Sequence, residues 1–405
     1  MHWLAALVIL ANLLFPITLR NTLQESPEIT DLGVSHQFGE QITFQVKVQS
    51  LADIRELLVY ITPEGQPTVW KKIAVDQANS QGEITQIVDA RQIALFPFST
   101  VNYRYEASLH DNQTITSETK SFIYDDNRFN WQTLESGIFQ IHWYGNDSTM
   151  GQEIANIAQQ GLQQAQSFLT ADPPSPLRIF AYQSSSDLQS ALQLTNQPWV
   201  AGHATPELGM VMISISSGPE KKLELERQIP HEIMHLLQYQ VMGKSFSKQP
   251  VWLIEGMASL AELYPNPEYH RVLEETAKAQ QLIAMTSLCN TFPREAGPAF
   301  QSYAQSESFV RFIHAKFGSS GLRNLIVQYQ NGVGCEEGIS AGLGSSLRQL
   351  EYRWRQEALG INTGALVWSN LSPYLLIGLL LILPASLSFI PYQARKTSRQ
   401  PEKSI

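Results

Sequence analysis

The chain has 405 residues, 43% of them apolar, which is enough for two or three folded domains and too hydrophobic for a disordered polymer. Its formal net charge of −9 argues against non-specific binding to nucleic acid. Charged residues make up only 16% while Gln, Ser and Asn are plentiful, a balance common in exported proteins.

In chain order, residues 1–20 come first. Trp3 to Leu19 is an apolar run followed by Arg20, which reads as an export signal or, since no cleavage site is obvious, an uncleaved signal anchor. Residues 26–126 read as short strands: Gln41–Ser50, Ile54–Thr62, Thr68–Val75, Glu83–Asp89, Thr100–Leu109 and Glu118–Tyr124 alternate or are rich in β-branched residues. Turn signals at Pro63-Glu64-Gly65, Ser80-Gln81-Gly82 and Asp111-Asn112 separate them, and the spacing predicts a β-sandwich of immunoglobulin or fibronectin III type. Asp125 to Arg128 looks like a junction. After it, Phe139–Tyr144 reads as a strand, and Asp147 or Ser148 caps a helix to about Leu169. Leu177–Tyr182 is a buried strand, Ser185–Leu194 a helix and Val211–Ser216 another strand.

Then comes His231-Glu232-Ile233-Met234-His235, with nineteen residues between His235 and the Glu255 of Trp252-Leu253-Ile254-Glu255-Gly256-Met257-Ala258. Histidines four apart on a helix point the same way, so both can bind one metal ion, and Glu232 can reach a water bound to it. The apolar neighbours Ile233, Met234, Leu236 and Leu237 bury this helix, and buried imidazoles need partners. Pro230 suits a helix first turn beginning there; a longer helix from about Glu220, kinked at Pro230, is the alternative. Glu255 makes a third ligand and leaves a fourth position open, the pattern of a catalytic zinc site.

Downstream, Leu253–Leu263, Glu268–Gln281, Gln305–Phe317, Leu322–Tyr329 and Ser346–Leu359 read as helices, the last with a Ser346/Gln349 capping box. Cys289 and Cys335 are the only cysteines, and a disulfide between them suits an exported chain. Leu371 to Ile390 is about twenty residues without a charge, long enough for a transmembrane helix. Trp368, Tyr374 and Tyr392 are interfacial aromatics, and the basic residues of 391–405 predict a cytoplasmic tail with the rest of the chain outside the cell membrane.

HEIMH with the spaced glutamate of WLIEGMA resembles the gluzincin metallopeptidases, and in particular the peptidase MA-like domains related to thermolysin and aminopeptidase N; the resemblance covers about residues 130–358. It implies a two-lobed catalytic domain over 129–360; with the N-terminal sandwich and one C-terminal transmembrane helix read above, the expected fold is α+β. It implies one Zn2+ held by His231, His235 and Glu255, with Glu232 as general base. The stretch from Ala201-Gly202-His203-Ala204 to Val211-Met212-Ile213 would supply an edge strand that pairs with a substrate backbone, and His203 would lie near substrate. Tyr303 is the candidate for stabilising the oxyanion and equally a tyrosine that packs a helix start; His314 is the weaker candidate. The chain departs from the family where Ile254 replaces an Asn and Ser259 an Asp that orients a zinc histidine; Glu262, two turns on, either takes over that support or is a solvated carboxylate. No segment resembles the one aminopeptidases use to grip a free amino terminus. The expected activity is therefore a membrane-anchored extracytoplasmic zinc endopeptidase acting on extended peptides or unfolded protein. A cell-surface binding or adhesion protein, with the sandwich as its working part, is the alternative.

Overall fold

The alternation of buried and exposed residues along the strands of 29–123 leaves most of them one apolar face to bury, so they pair into two sheets. A computed structural model describes residues 28–192, 202–215, 218–361 and 371–377. The chain divides after Arg128 into two units. In the first, the described residues form β1 (Ile29–Gln37), β2 (Gln41–Val48), β3 (Ile54–Pro63), β4 (Val69–Ile73), β5 (Glu83–Asp89), β6 (Thr100–Leu109), β7 (Thr114–Thr116) and β8 (Lys120–Ile123). One sheet has the order β1-β2-β5; the other runs β4-β3-β6, with β7 and β8 pairing successive stretches of β6. Ile42, Phe44 and Val46 face Leu57, Val59, Tyr103 and Tyr105 in the shared core. Tyr103 and Tyr105 both donate to Asp31 of β1, at 2.9 and 3.3 Å. The sequence reading did not single out β1, whose pairing with β2 shifts register between Asp31 and Gly33.

The second unit opens with β9 (Gln132–Ser136) and β10 (Phe139–Trp143), then α1 (Met150–Phe168), β11 (Leu177–Tyr182), α2 (Ser185–Ala191), β12 (Gly202–Thr205) and β13 (Met210–Ser214). The sheet order is β12-β13-β11-β10-β9; the three central strands are parallel and both edges antiparallel. Every residue of β13 is buried, as a strand covered on both faces requires. The rest is helical: α3 (Lys221–Met242), α4 (Val251–Ala261), α5 (Pro267–Lys278), α6 (Ala296–Gln330), α7 (Cys335–Leu343) and α8 (Leu347–Glu357). A β-rich region followed by a largely helical one is the expected order.

Several boundaries differ from expectation. α3 takes the longer alternative, with Pro230 inside it. Pro230 survives there because its ring lies against Gly161 of α1, where a Cβ would come within 2.7 Å of it. α6 begins at Ala296 rather than Gln305 and joins two expected helices across a break at Gly318 (φ 66°). α7 had no counterpart in the sequence reading. The Ser346/Gln349 capping box of α8 is present. Cys289 and Cys335 form a disulfide, with Cα atoms 6.0 Å apart.

The predicted segments 1–20 and 391–405 lie outside the described residues, as do Ala201 and Trp368. Of the predicted span 371–390, residues 371–377 are helical and the remainder lies outside the description. Among the described residues no helix is long and apolar enough to cross a membrane.

Candidate metal centre

On α3, four residues bring His231 and His235 round to one face, with ring centroids 5.0 Å apart. α4 is apolar on nearly every side and is buried between α3 and α6, so its one acidic residue, Glu255, emerges toward the histidines. Gly256 lets α6 approach closely: a Cβ there would lie 2.5 Å from the Ser306 carbonyl. At the start of α4 the Val251 N–H donates to the Cys289 carbonyl at 2.9 Å, and the Trp252 indole donates to Cys335 Sγ at 3.4 Å. The disulfide thus braces the helix that carries Glu255. Both Nε2 atoms face the same carboxylate oxygen, Glu255 Oε2, at 3.4 Å from His231 and 3.8 Å from His235. One ligand atom from each of the three residues lies within 4.8 Å of the others. Two imidazole nitrogens and one carboxylate oxygen converging with a side left open fit a catalytic zinc ion.

The outward-facing Nδ1 atoms are each held from behind. His231 Nδ1 lies 3.2 Å from Glu262 Oε1. Glu262 is 4% exposed, so of the two sequence readings it is the buried partner and not the solvated carboxylate. Its place is set by Pro230. A proline has no N–H for the carbonyl four residues back; that carbonyl, of Glu226, instead accepts the Leu263 N–H at 2.9 Å, pinning the chain just beyond Glu262. Arg227 Nε stands 4.0 Å from Glu262 Oε2. His235 Nδ1 lies 3.2 Å from Gln238 Oε1, a residue the sequence reading passed over. Its only signal was position: three residues after His235, on the same helical face.

Glu232 is 7% exposed and sits beneath the edge strand β12. The Ala204 N–H donates to its carboxylate, and a Cβ at Gly202 would stand 2.5 Å from Glu232 Oε1. Only glycine lets the strand come this close to the acid. Burial, reinforced by the charge of Glu255 and opposed by that of His231, pushes the Glu232 carboxyl up to about 7. Burial brings His235 down to about 4. Burial would likewise depress His231, but its hydrogen bonds to Glu255 and Glu262 outweigh that and raise it well above the usual imidazole value. Burial opposes ionisation of Glu255, yet His231 and His235 hold it below the ordinary carboxylate range.

Tyr303 lies inside α6, two turns from its start, and its hydroxyl is within hydrogen-bonding reach of Glu255. The charge of Glu255, with burial, pushes that hydroxyl well above the usual phenol value, so it stays a donor. Its ring stands 6.4 Å from that of His231. Tyr303, His231, Glu232, Gly202, Tyr269 and Phe300 line a cavity of about 240 Å³. A larger recess of about 840 Å³ between α5, α6 and the end of α8 contains none of the three convergent ligands. His203 is half-buried on β12, and desolvation there lowers its pKa. His314 is held elsewhere, stacked edge-on against Phe168 with its Nε2 3.2 Å from Ser319 Oγ; it does not join the cluster.

The model of the peptidase MA superfamily matches residues 157–360, half of the chain, and takes in α3 and α4 entire. The chain belongs to the peptidase MA superfamily. None of the curated proteins matches it. Among solved structures it is similar to an aminopeptidase N family protein from Idiomarina loihiensis, at 11% identity over 84% of this chain and 73% of that one, with a TM-score of 0.36. It is also similar to an M1 zinc metallopeptidase from Deinococcus radiodurans, at 11% identity over 78% of this chain and 90% of that one, with a TM-score of 0.32. The superfamily match begins within α1, so the sandwich lies outside it.

Proposed function

We propose that this member of the peptidase MA superfamily is a zinc-dependent endopeptidase, one ion per chain, acting on extended peptides or unfolded protein. The observation that carries the reading is the convergence of His231 Nε2, His235 Nε2 and Glu255 Oε2 beside a buried carboxyl, Glu232. A bound zinc ion would act as a Lewis acid, polarising the scissile carbonyl and acidifying water. Glu232, a buried carboxyl beside the three ligands, would be the group that takes a proton from water and passes it to the leaving amine. Tyr303 keeps its proton and donates to the oxyanion, a contribution typically worth roughly 3 kcal/mol. β12, at the sheet edge over Glu232, offers backbone groups to an extended substrate. The absence of an amino-terminus clamp in the sequence favours internal cleavage.

The setting we propose is the outer face of a cell membrane, with 371–390 as anchor and 391–405 as cytoplasmic tail. Its support is the uncharged run and basic flank in the sequence, together with a disulfide that persists in oxidising compartments.

The test is cleavage of unfolded casein by the purified full-length chain with zinc, beside Glu232→Gln. The parent should cut and the variant should fall by roughly 100- to 10,000-fold while binding zinc equally. Equal cleavage by both, or none by a zinc-loaded parent, would defeat the reading.

A further inference from the structure

We propose that Gln238 is a positioning residue that fixes the tautomer of His235 and ties that imidazole to the helix carrying Glu255. The inference deepens the metal-centre reading and rests on it. Gln238 is completely buried, yet it lies on α3 among Ile233, Met234, Leu237 and Met242, where a leucine would satisfy packing. A buried carboxamide is costly unless both of its ends are used. Both are. Oε1 faces His235 Nδ1 at 3.2 Å, and Nε2 donates to the Ile254 carbonyl at 3.3 Å. A carbonyl can only accept, so the amide orientation is determined: nitrogen toward Ile254, oxygen toward His235. His235 must then carry its proton on Nδ1, which leaves the Nε2 lone pair directed at the shared site by Glu255.

Ile254 immediately precedes Glu255, so this one side chain fixes a histidine on α3 relative to the carboxylate on α4. The two imidazoles are consequently supported by unlike groups. His231 has an anionic partner in Glu262; His235 has a neutral dipole that bridges two helices. This assigns a reason to Ile254: the contact at that position is made by its backbone, so the side chain is free to be apolar.

Bridging and simple enhancement of basicity make different predictions. A carboxylate in place of the amide would still accept from Nδ1, but it cannot donate to Ile254. Zinc affinity would be measured on the full-length chain by competition with a chromophoric chelator. Gln238→Leu and Gln238→Glu should both weaken binding, by roughly 10- to 100-fold, while Gln240→Leu on the exposed side of α3 leaves it unchanged. Near-ultraviolet circular dichroism of the metal-free variants checks that the fold is kept. Full affinity in Gln238→Glu would overturn the bridging role, and full affinity in Gln238→Leu would overturn the proposal altogether. A second measurement needs no variant: long-range ¹⁵N–¹H correlation on the metal-free parent should show His235 protonated at Nδ1. Protonation at Nε2 would refute the assignment even if every variant unfolded. A parent that binds no zinc would defeat the proposed function but leave the tautomer measurement as a test of Gln238.

Discussion

Glu232 is a carboxyl held where its charge is unwelcome, and this has a thermodynamic signature apart from catalysis. Its folded value of about 7 lies above the 4.5 of an unperturbed glutamate. Between those limits the folded chain binds a proton that the unfolded chain has lost, so this group's contribution to stability falls as pH rises from about 4.5 to 7 and is flat above. Glu232→Gln removes the ionisable group. The metal-free variant should therefore melt with the parent near pH 4 and be more stable at pH 8, by on the order of 2–3 kcal/mol; denaturant titrations at both pH values measure it. At this scale the sequence was most legible where chemistry restricts residue type: two histidines and two glutamates at fixed spacing announce themselves. Glu262 was visible only as one of two readings, because seven residues beyond Glu255 a carboxylate is as readily solvated as buried. Gln238 was invisible, since a glutamine among leucines carries no spacing rule and declares its role only when Ile254 is seen beside it.

Elements were legible where a helix or strand is decided by its own periodicity, and less so where a neighbour decides. β2 to β6, β8 and the central strands of the second sheet were found within a few residues, whereas β1 and the short β7 were not. α3 was harder, because Pro230 reads equally as a start or as an interruption, and the arbiter is Gly161 on another helix. α6 extends nine residues upstream of expectation: its first turn is exposed, but Ala299 is buried and Phe300 packs against Tyr269 of α5, a tertiary stabilisation that local pattern does not contain. The interruption in α3 has a measurable role. Pro230→Ala would restore an N–H that competes with Leu263 for the Glu226 carbonyl, loosening Glu262 behind His231. Zinc affinity should fall several-fold in Pro230→Ala, although alanine is the better helix former by about 3 kcal/mol; the same chelator competition measures it, and unchanged affinity would show that Leu263 holds Glu262 without that hydrogen bond.

For the whole molecule, the sequence implied a β-rich region, a metallopeptidase-like region and their order, because each has its own residue pattern. The disulfide is the one covalent cross-link among the described residues of the second unit. It closes 46 positions, a loop whose cross-link removes on the order of 4 kcal/mol of chain entropy from the unfolded state. Mild reductant should lower the melting temperature by several degrees and weaken zinc binding with it, since both cysteines contact the first turn of α4, Cys289 by its carbonyl and Cys335 by its sulfur; calorimetry with and without reductant reads the first effect. The same bond carries a consequence of connectivity. α6 lies wholly between the two cysteines. A protease is exposed to other copies of itself, and a backbone cut anywhere from 290 to 334 would leave two fragments still covalently joined, the severed halves of one molecule travelling as one until a reductant parts them.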